Sequence, residues 1–127
     1  MRIFILEDDD LRIMQLQDIL HRHDLTVIKT CLDAGEFDPP YDLILLDHDL
    51  GGRQMLEHED CGLTFVRMVK DRISKHTPVI VHSYNNGGAE AMLQEIDSPM
   101  AVYAPFMGTQ FVTVLEMILA QHREERQ

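Results

Sequence analysis

Apolar runs of strand length recur along this chain, at Ile3 to Leu6, Leu25 to Ile28, Leu43 to Leu46, Val79 to Val81 and Ala101 to Tyr103. Several of the segments between them carry the spacing of amphipathic helices. Ile13, Leu16 and Leu20 share one face after the first run, with Arg12, Gln15, Asp18 and Arg22 elsewhere. A second helix is expected through Leu63, Val66, Val69 and Ile73, and a third from near Ala89 through Met92, Leu93 and Ile96. A fourth follows Thr109, which the pattern makes an N-cap, with Phe111, Val114, Leu115 and Ile118. Strands alternating with helices imply a parallel sheet covered on both faces.

The expected fold class is therefore α/β, a doubly wound five-stranded parallel sheet with helices on both faces. Its second crossover is expected to be shortened, because Gly35 and the Pro39-Pro40 pair leave room for about one helical turn before Tyr41. The stretch from Gly51 to Asp60 opens with two glycines and carries Arg53, Glu57, His58, Glu59 and Asp60, and reads as a loop. A chain of 127 residues, 45% of them hydrophobic, suits one compact domain spanning residues 1–127. No repeat or linker divides it, and the tail from His122 is expected to end the last helix and fray.

Two acid clusters, Glu7-Asp8-Asp9-Asp10 and Asp47-His48-Asp49, directly follow the first and third apolar runs. If both runs are parallel strands of one sheet, these acids meet at its carboxyl edge, where ligands bind in open α/β sheets. Carboxylates so gathered repel one another unless protons or a hard cation neutralise them, so a divalent metal site is the simplest reading. Ser83 to Asn85 fall at the same edge. Asp10 is expected to cap the first helix, while Asp9 suits either a cap or the metal. Asn85-Asn86-Gly87-Gly88 fits a turn or a ligand contact.

Charge narrows the partners. Lys plus Arg is 11 against 22 for Asp plus Glu, a formal net charge of −11, which disfavours nonspecific binding to nucleic acid or anionic membranes. The start, Met1-Arg2-Ile3-Phe4, enters a strand pattern at once without a signal-peptide layout, and no apolar run reaches membrane-span length. A soluble, cytoplasmic protein is expected. Cys31 and Cys61 lack metal or disulfide spacing and read as ordinary small residues, and Met92 and Met117 read as core filling.

Residues 3–9, Ile3-Phe4-Ile5-Leu6-Glu7-Asp8-Asp9, resemble the strand-and-acid opening of response-regulator receiver domains, which have a flavodoxin-like fold. Tyr41-Asp42-Leu43-Ile44-Leu45-Leu46-Asp47 resembles the receiver strand ending in the phosphoacceptor aspartate, and Pro78-Val79-Ile80-Val81-His82-Ser83 the strand ending in a phosphate-contacting hydroxyl. The resemblance implies Mg²⁺ held by Glu7, Asp8 and Asp47, with the backbone carbonyl of Asp49 as a further ligand; the Asp49 carboxylate suits either an added ligand or the orienting of a water. It makes Asp47 the acceptor and Ser83 an oxygen donor.

The match departs from receivers at two positions. Ala104 stands where receivers carry a lysine, and Ala101 where they carry an aromatic switch residue. With Asp47-His48-Asp49-Leu50-Gly51-Gly52 and His82-Ser83-Tyr84-Asn85, these departures resemble a divergent receiver branch that processes cyclic phosphates, on small molecules or RNA ends. Opening a cyclic phosphate wants a metal, a nucleophile and a proton donor. His48 and His82 would flank the pocket and transfer protons, Asn85 would contact phosphate, and Arg53 would either replace the lysine or stay exposed.

Three functions follow from the resemblance. The first is a Mg²⁺-dependent enzyme acting on a cyclic phosphate. The second is a stand-alone receiver phosphorylated on Asp47 by a histidine kinase or phosphotransfer protein. The third is a degenerate receiver that only binds proteins.

Overall fold

The computed structural model describes residues 1–54 and 59–125. Strand β1 (Arg2–Leu6) pairs in parallel with β2 (Asp24–Ile28) on one side and β3 (Leu43–Leu46) on the other. Strand β3 continues to β6 (Val79–Val81), and β6 to β7 (Ala101–Tyr103). The order β2-β1-β3-β6-β7 is the doubly wound, flavodoxin-like arrangement, and its winding reverses between β1 and β3. That switch point opens the crevice at the carboxyl ends of β1 and β3.

Along the central strands side chains alternate between two buried faces. Ile3, Ile5, Leu43, Leu45 and Ile80 pack on one face with Leu16 and Leu20 from α1 (Asp10–Ile19) and its end, and with Phe111 and Leu115 of α4 (Thr109–Glu125). Phe4, Leu6, Ile44, Leu46, Val79 and Val81 pack on the other with α2 (Gly62–Val69) and α3 (Asn86–Ile96). There Phe4 stacks on Phe65 at 5.4 Å and meets Phe37 edge-on at 4.9 Å. Burying one such ring stabilises the fold by roughly 1.5–3 kcal/mol. No helix among the described residues is long and apolar enough to cross a membrane.

The second crossover is short, a 3₁₀ segment at Cys31–Glu36 in place of a helix. Thr30 caps it, accepting from the Leu32 amide, and Asp60 ties it down through Thr30 Oγ1 at 2.6 Å and the Cys31 amide at 2.8 Å. Asp60 is thus buried against the crossover and is not among the residues lining the acidic cleft. Cys31 and Cys61 are both buried and not disulfide-bonded, and burial pushes the Cys31 thiol up to about 11.

The segment expected as a loop is instead a hairpin, β4 (Asp49–Gln54) paired antiparallel with β5 (Glu59–Cys61). Two glycines had argued against a strand, but a register irregularity within the pair accommodates them. Met55, Glu57 and His58 lie outside the described residues, as do the side chains of Arg53 and Glu59.

Several local expectations shift. Asp9, not Asp10, caps α1, accepting from the Arg12 amide at 3.1 Å, while Asp10 pairs with Lys29. Helix α3 starts at Asn86 rather than near Ala89, because the Asn85 side chain accepts from the Gly88 amide at 2.9 Å and turns the glycine pair into a first helical turn. Thr109 is the first residue of α4 rather than its cap, and the Val112 amide bonds Gly108. Met92 is core, whereas Met117, two positions past buried Leu115, is 66% exposed.

Candidate functional site

The last paired residues of β1, β3 and β6 are Leu6, Leu46 and Val81, which lie side by side. Glu7, Asp47 and His82 occupy the next rung. The ladder carries through it, with the Asp47 amide donating to Leu6 and the His82 amide to Leu46 at 3.0 and 2.9 Å. Two residues earlier on the same face stand Ile5, Leu45 and Ile80. The alternation that buries those side chains therefore buries the next ones too, and Glu7, Asp47 and His82 are 0%, 3% and 0% exposed. Ala104 belongs to the same rung, bonding through its amide to Val81.

Burying carboxylates together penalises their charged forms. Desolvation, and then the neighbouring Asp47 charge, push the Glu7 pKa up to about 7, while burial also raises that of Asp47. Burial, with Arg12 close by, drives His82 down to about 3. Glu7 Oε1 lies 3.7 Å from His82 Nδ1, and neither atom has a hydrogen-bond partner among the described residues, nor has His82 Nε2. Glu7, Asp47 and His82 offer ligand atoms all within 4.8 Å of one another, a donor set with room for a cation.

Above the rung opens a cleft of about 370 Å³ lined by Glu7, Asp8, Asp9, Arg12, Asp47, Asp49, Ser83 and Tyr84. Glu7 Oε2 accepts from the Asp8 and Asp9 amides at 3.0 and 3.1 Å, which folds the first acid run around it. Ser83 is fully buried, and its hydroxyl oxygen accepts from the Asn85 amide at 3.0 Å.

His48 stands to one side. Its Nδ1 lies 2.9 Å from the Asp49 carboxylate, which Asn85 Nδ2 also contacts at 3.2 Å. The pair holds the Asp49 pKa below the usual carboxylate range, first through the His48 contact. Two glycines permit this packing. A Cβ on Gly62 would strike the Asp47 carbonyl oxygen and press within 2.7 Å of Met92, and one on Gly88 would lie 2.5 Å from the His48 ring.

The fold thus gathers the metal and acceptor residues named from sequence, Glu7, Asp8, Asp47 and Asp49, with Ser83 around one cleft. The placement of the histidines differs. His82 does not flank the cleft but lies sealed beneath Glu7, its ring 5.5 Å from Phe106 and 6.1 Å from Phe111, because it follows the inward row of β6. His48 is near the cleft without lining it. Asn85 reaches the site through Asp49.

One cleft residue was missed. The Arg12 guanidinium lies 3.6 Å from Glu7 Oε1, with its carbon 5.0 Å from the Tyr84 ring centre and 5.3 Å from that of Phe106. Helical periodicity placed Arg12 off the buried face and carried no sign that two aromatic residues distant in sequence would bracket it.

The model of the family described as the cyclic-phosphate processing receiver domain matches residues 1–98. The chain belongs to this family. None of the curated proteins compared with it matches. Among solved structures, the non-phosphorylated HemR receiver domain from Leptospira biflexa superposes with a TM-score of 0.67 at 22% identity, covering 92% of each chain. The response regulator TrrA from Thermotoga maritima, solved in complex with Mg²⁺ and BeF, gives 0.62 at 16% identity over 92% of this chain and 97% of its own. The Mn²⁺-bound response regulator Rcp1 gives 0.60 at 20% identity over 92% and 88%. At these identities the likeness establishes a receiver fold. Within that fold, Ala104 is fully buried and Ala101 half-buried, the two positions that the sequence resemblance assigned to the lysine and the aromatic switch.

Proposed function

We propose that this domain handles phosphoryl groups in a divalent-metal-dependent reaction that opens cyclic phosphates, with Asp47 as nucleophile. The observation that supports it is the buried Glu7–Asp47 rung beneath an acid-lined cleft, in a member of this family that lacks the lysine and aromatic residue of signalling receivers. Glu7, Asp8, Asp47 and Asp49 would hold Mg²⁺, which when bound neutralises phosphoryl oxygens as a Lewis acid.

The chain's own groups supply the rest. An Asp47 carboxylate oxygen bonds to phosphorus as the bond from phosphorus to one ring oxygen breaks. The departing oxygen takes its proton from His48, whose Nδ1 is held by Asp49. Ser83 and Asn85 donate hydrogen bonds to the non-bridging oxygens. Water then attacks the aspartyl phosphodiester, gives its proton back to His48, and releases the opened phosphate with Asp47 restored. His82 is sealed from substrate, so its influence runs through Glu7.

The test is phosphorus NMR of purified protein with Mg²⁺ and either nucleoside cyclic phosphates or RNA ending in a cyclic phosphate. Opening is expected, with a loss of about a thousandfold or more in Asp47→Asn. Both substrates left untouched would remove the reading's support. With a net charge of −11, a small phosphate or a single RNA end suits the cleft better than a long RNA.

A second reading is favoured by the placement of Asp47 and Ser83 at adjacent strand ends, as a phosphoacceptor site requires. In it a histidine kinase or phosphotransfer protein phosphorylates Asp47. Incubation with acetyl phosphate distinguishes the two: a stable Asp47-dependent phosphoprotein supports signalling. Full biological activity of Asp47→Asn would instead leave only a protein-binding module.

A further inference from the structure

The cleft is acidic, yet a ligand bearing phosphate needs a cation on its open side as well as a metal at its floor. Receivers draw that cation from the position of Ala104, which here is a buried methyl group. Among the described residues that line the cleft, Arg12 alone is basic.

Its setting is that of a prepared donor. The Arg12 amide bonds the Asp9 cap, which fixes the first turn of α1, and Arg12 lines the cleft from that turn. The Tyr84 and Phe106 rings bracket the guanidinium, and the Tyr84 hydroxyl donates to the Phe106 carbonyl at 2.7 Å, joining the two rings. The side chain remains 25% exposed. Its approach to Glu7, at 3.6 Å, is too long for a hydrogen bond, and no side-chain hydrogen bond among the described residues uses its five N–H groups.

We propose that Arg12 is the phosphate-gripping cation of this site, supplied from α1 in place of the lysine, and that its planar fork binds two non-bridging phosphoryl oxygens. The proposal rests on the phosphoryl-handling reading and adds its recognition element. A fork suits a phosphodiester, which presents two such oxygens side by side, better than a point charge does. Held between rings rather than on a flexible stem, the guanidinium loses little freedom on binding.

Calorimetric titration of the full chain tests this, first with Mg²⁺ alone and then with beryllofluoride in the presence of Mg²⁺. In Arg12→Ala, beryllofluoride affinity is expected to fall about ten- to a hundredfold, while affinity for Mg²⁺ alone holds or rises because a cation beside Glu7 has been removed. Arg12→Lys should fall between the two. Beryllofluoride binding within about twofold of wild type in Arg12→Ala would overturn the proposal and leave the phosphoryl reading standing. Parallel loss of Mg²⁺ binding, beryllofluoride binding and melting temperature in both variants would also overturn it, as the mark of a merely structural arginine. A wild-type chain that takes up neither Mg²⁺ nor beryllofluoride would overturn the reading and the proposal together.

Discussion

Glu7 and His82 face each other across 3.7 Å with burial pressing both toward neutrality, the acid up to about 7 and the imidazole down to about 3. The two respond to pH in opposite ways. The folded chain holds the Glu7 proton more tightly than the unfolded chain does, so its contribution to stability is complete below pH 4.5 and is lost as pH rises through about 7. His82 is the reverse, contributing fully above pH 6.5 and losing that contribution as pH falls toward 3. In metal-free protein, Glu7→Gln is therefore expected to flatten the decline in stability between pH 4.5 and 7, and His82→Phe to flatten the loss on the acid side. Urea denaturation across pH measures both, and variant curves parallel to wild type would contradict this account. At this scale the sequence showed which acids come together, because they follow apolar runs. It did not show that His82 points inward, since that depends on the row of β6 it continues.

The elements were legible wherever an apolar period was uninterrupted. All five sheet strands and the cores of the four helices follow it, and the Pro39-Pro40 pair marked the short crossover. The hairpin Asp49–Gln54 with Glu59–Cys61 was not legible, because its glycines imitate a loop and hide the pairing of the two segments. The start of α3 was hidden for a related reason: Asn and Gly favour turns, and only the Asn85 cap makes them helical. Two glycines at helix starts separate stability from chemistry. Gly62→Ala would drive a methyl group into the Asp47 carbonyl, a backbone atom that cannot yield, and is expected to cost about 1–3 kcal/mol in denaturant unfolding. Gly88→Ala meets the His48 ring instead, a side chain able to move. Its stability is expected to stay within about 1 kcal/mol of wild type, since alanine also favours the helix, while cyclic-phosphate opening falls as His48 is displaced from Asp49.

At the scale of the whole molecule, five acids gather in one cleft at the carboxyl end of the sheet. Doubly wound topology brings the carboxyl ends of β1, β3 and β6 together, so the acids of separate sequence segments share one cleft. A ligand that binds only the folded chain stabilises it by about 2.7 kcal/mol at a hundred times its dissociation constant. Saturating Mg²⁺ is thus expected to raise the melting temperature, and more at pH 8 than at pH 5, where protons occupy Glu7; EDTA should reverse the gain. An equal or absent shift at both values would count against metal binding at Glu7. The rung that carries Glu7, Asp47 and His82 has a last implication. Side chains on loops can adjust their separation to suit a guest, but these three are spaced by hydrogen-bonded strands about 4.8 Å apart. The sheet acts as a ruler whose gradations fix how far apart Glu7, Asp47 and His82 stand, whatever lies above them.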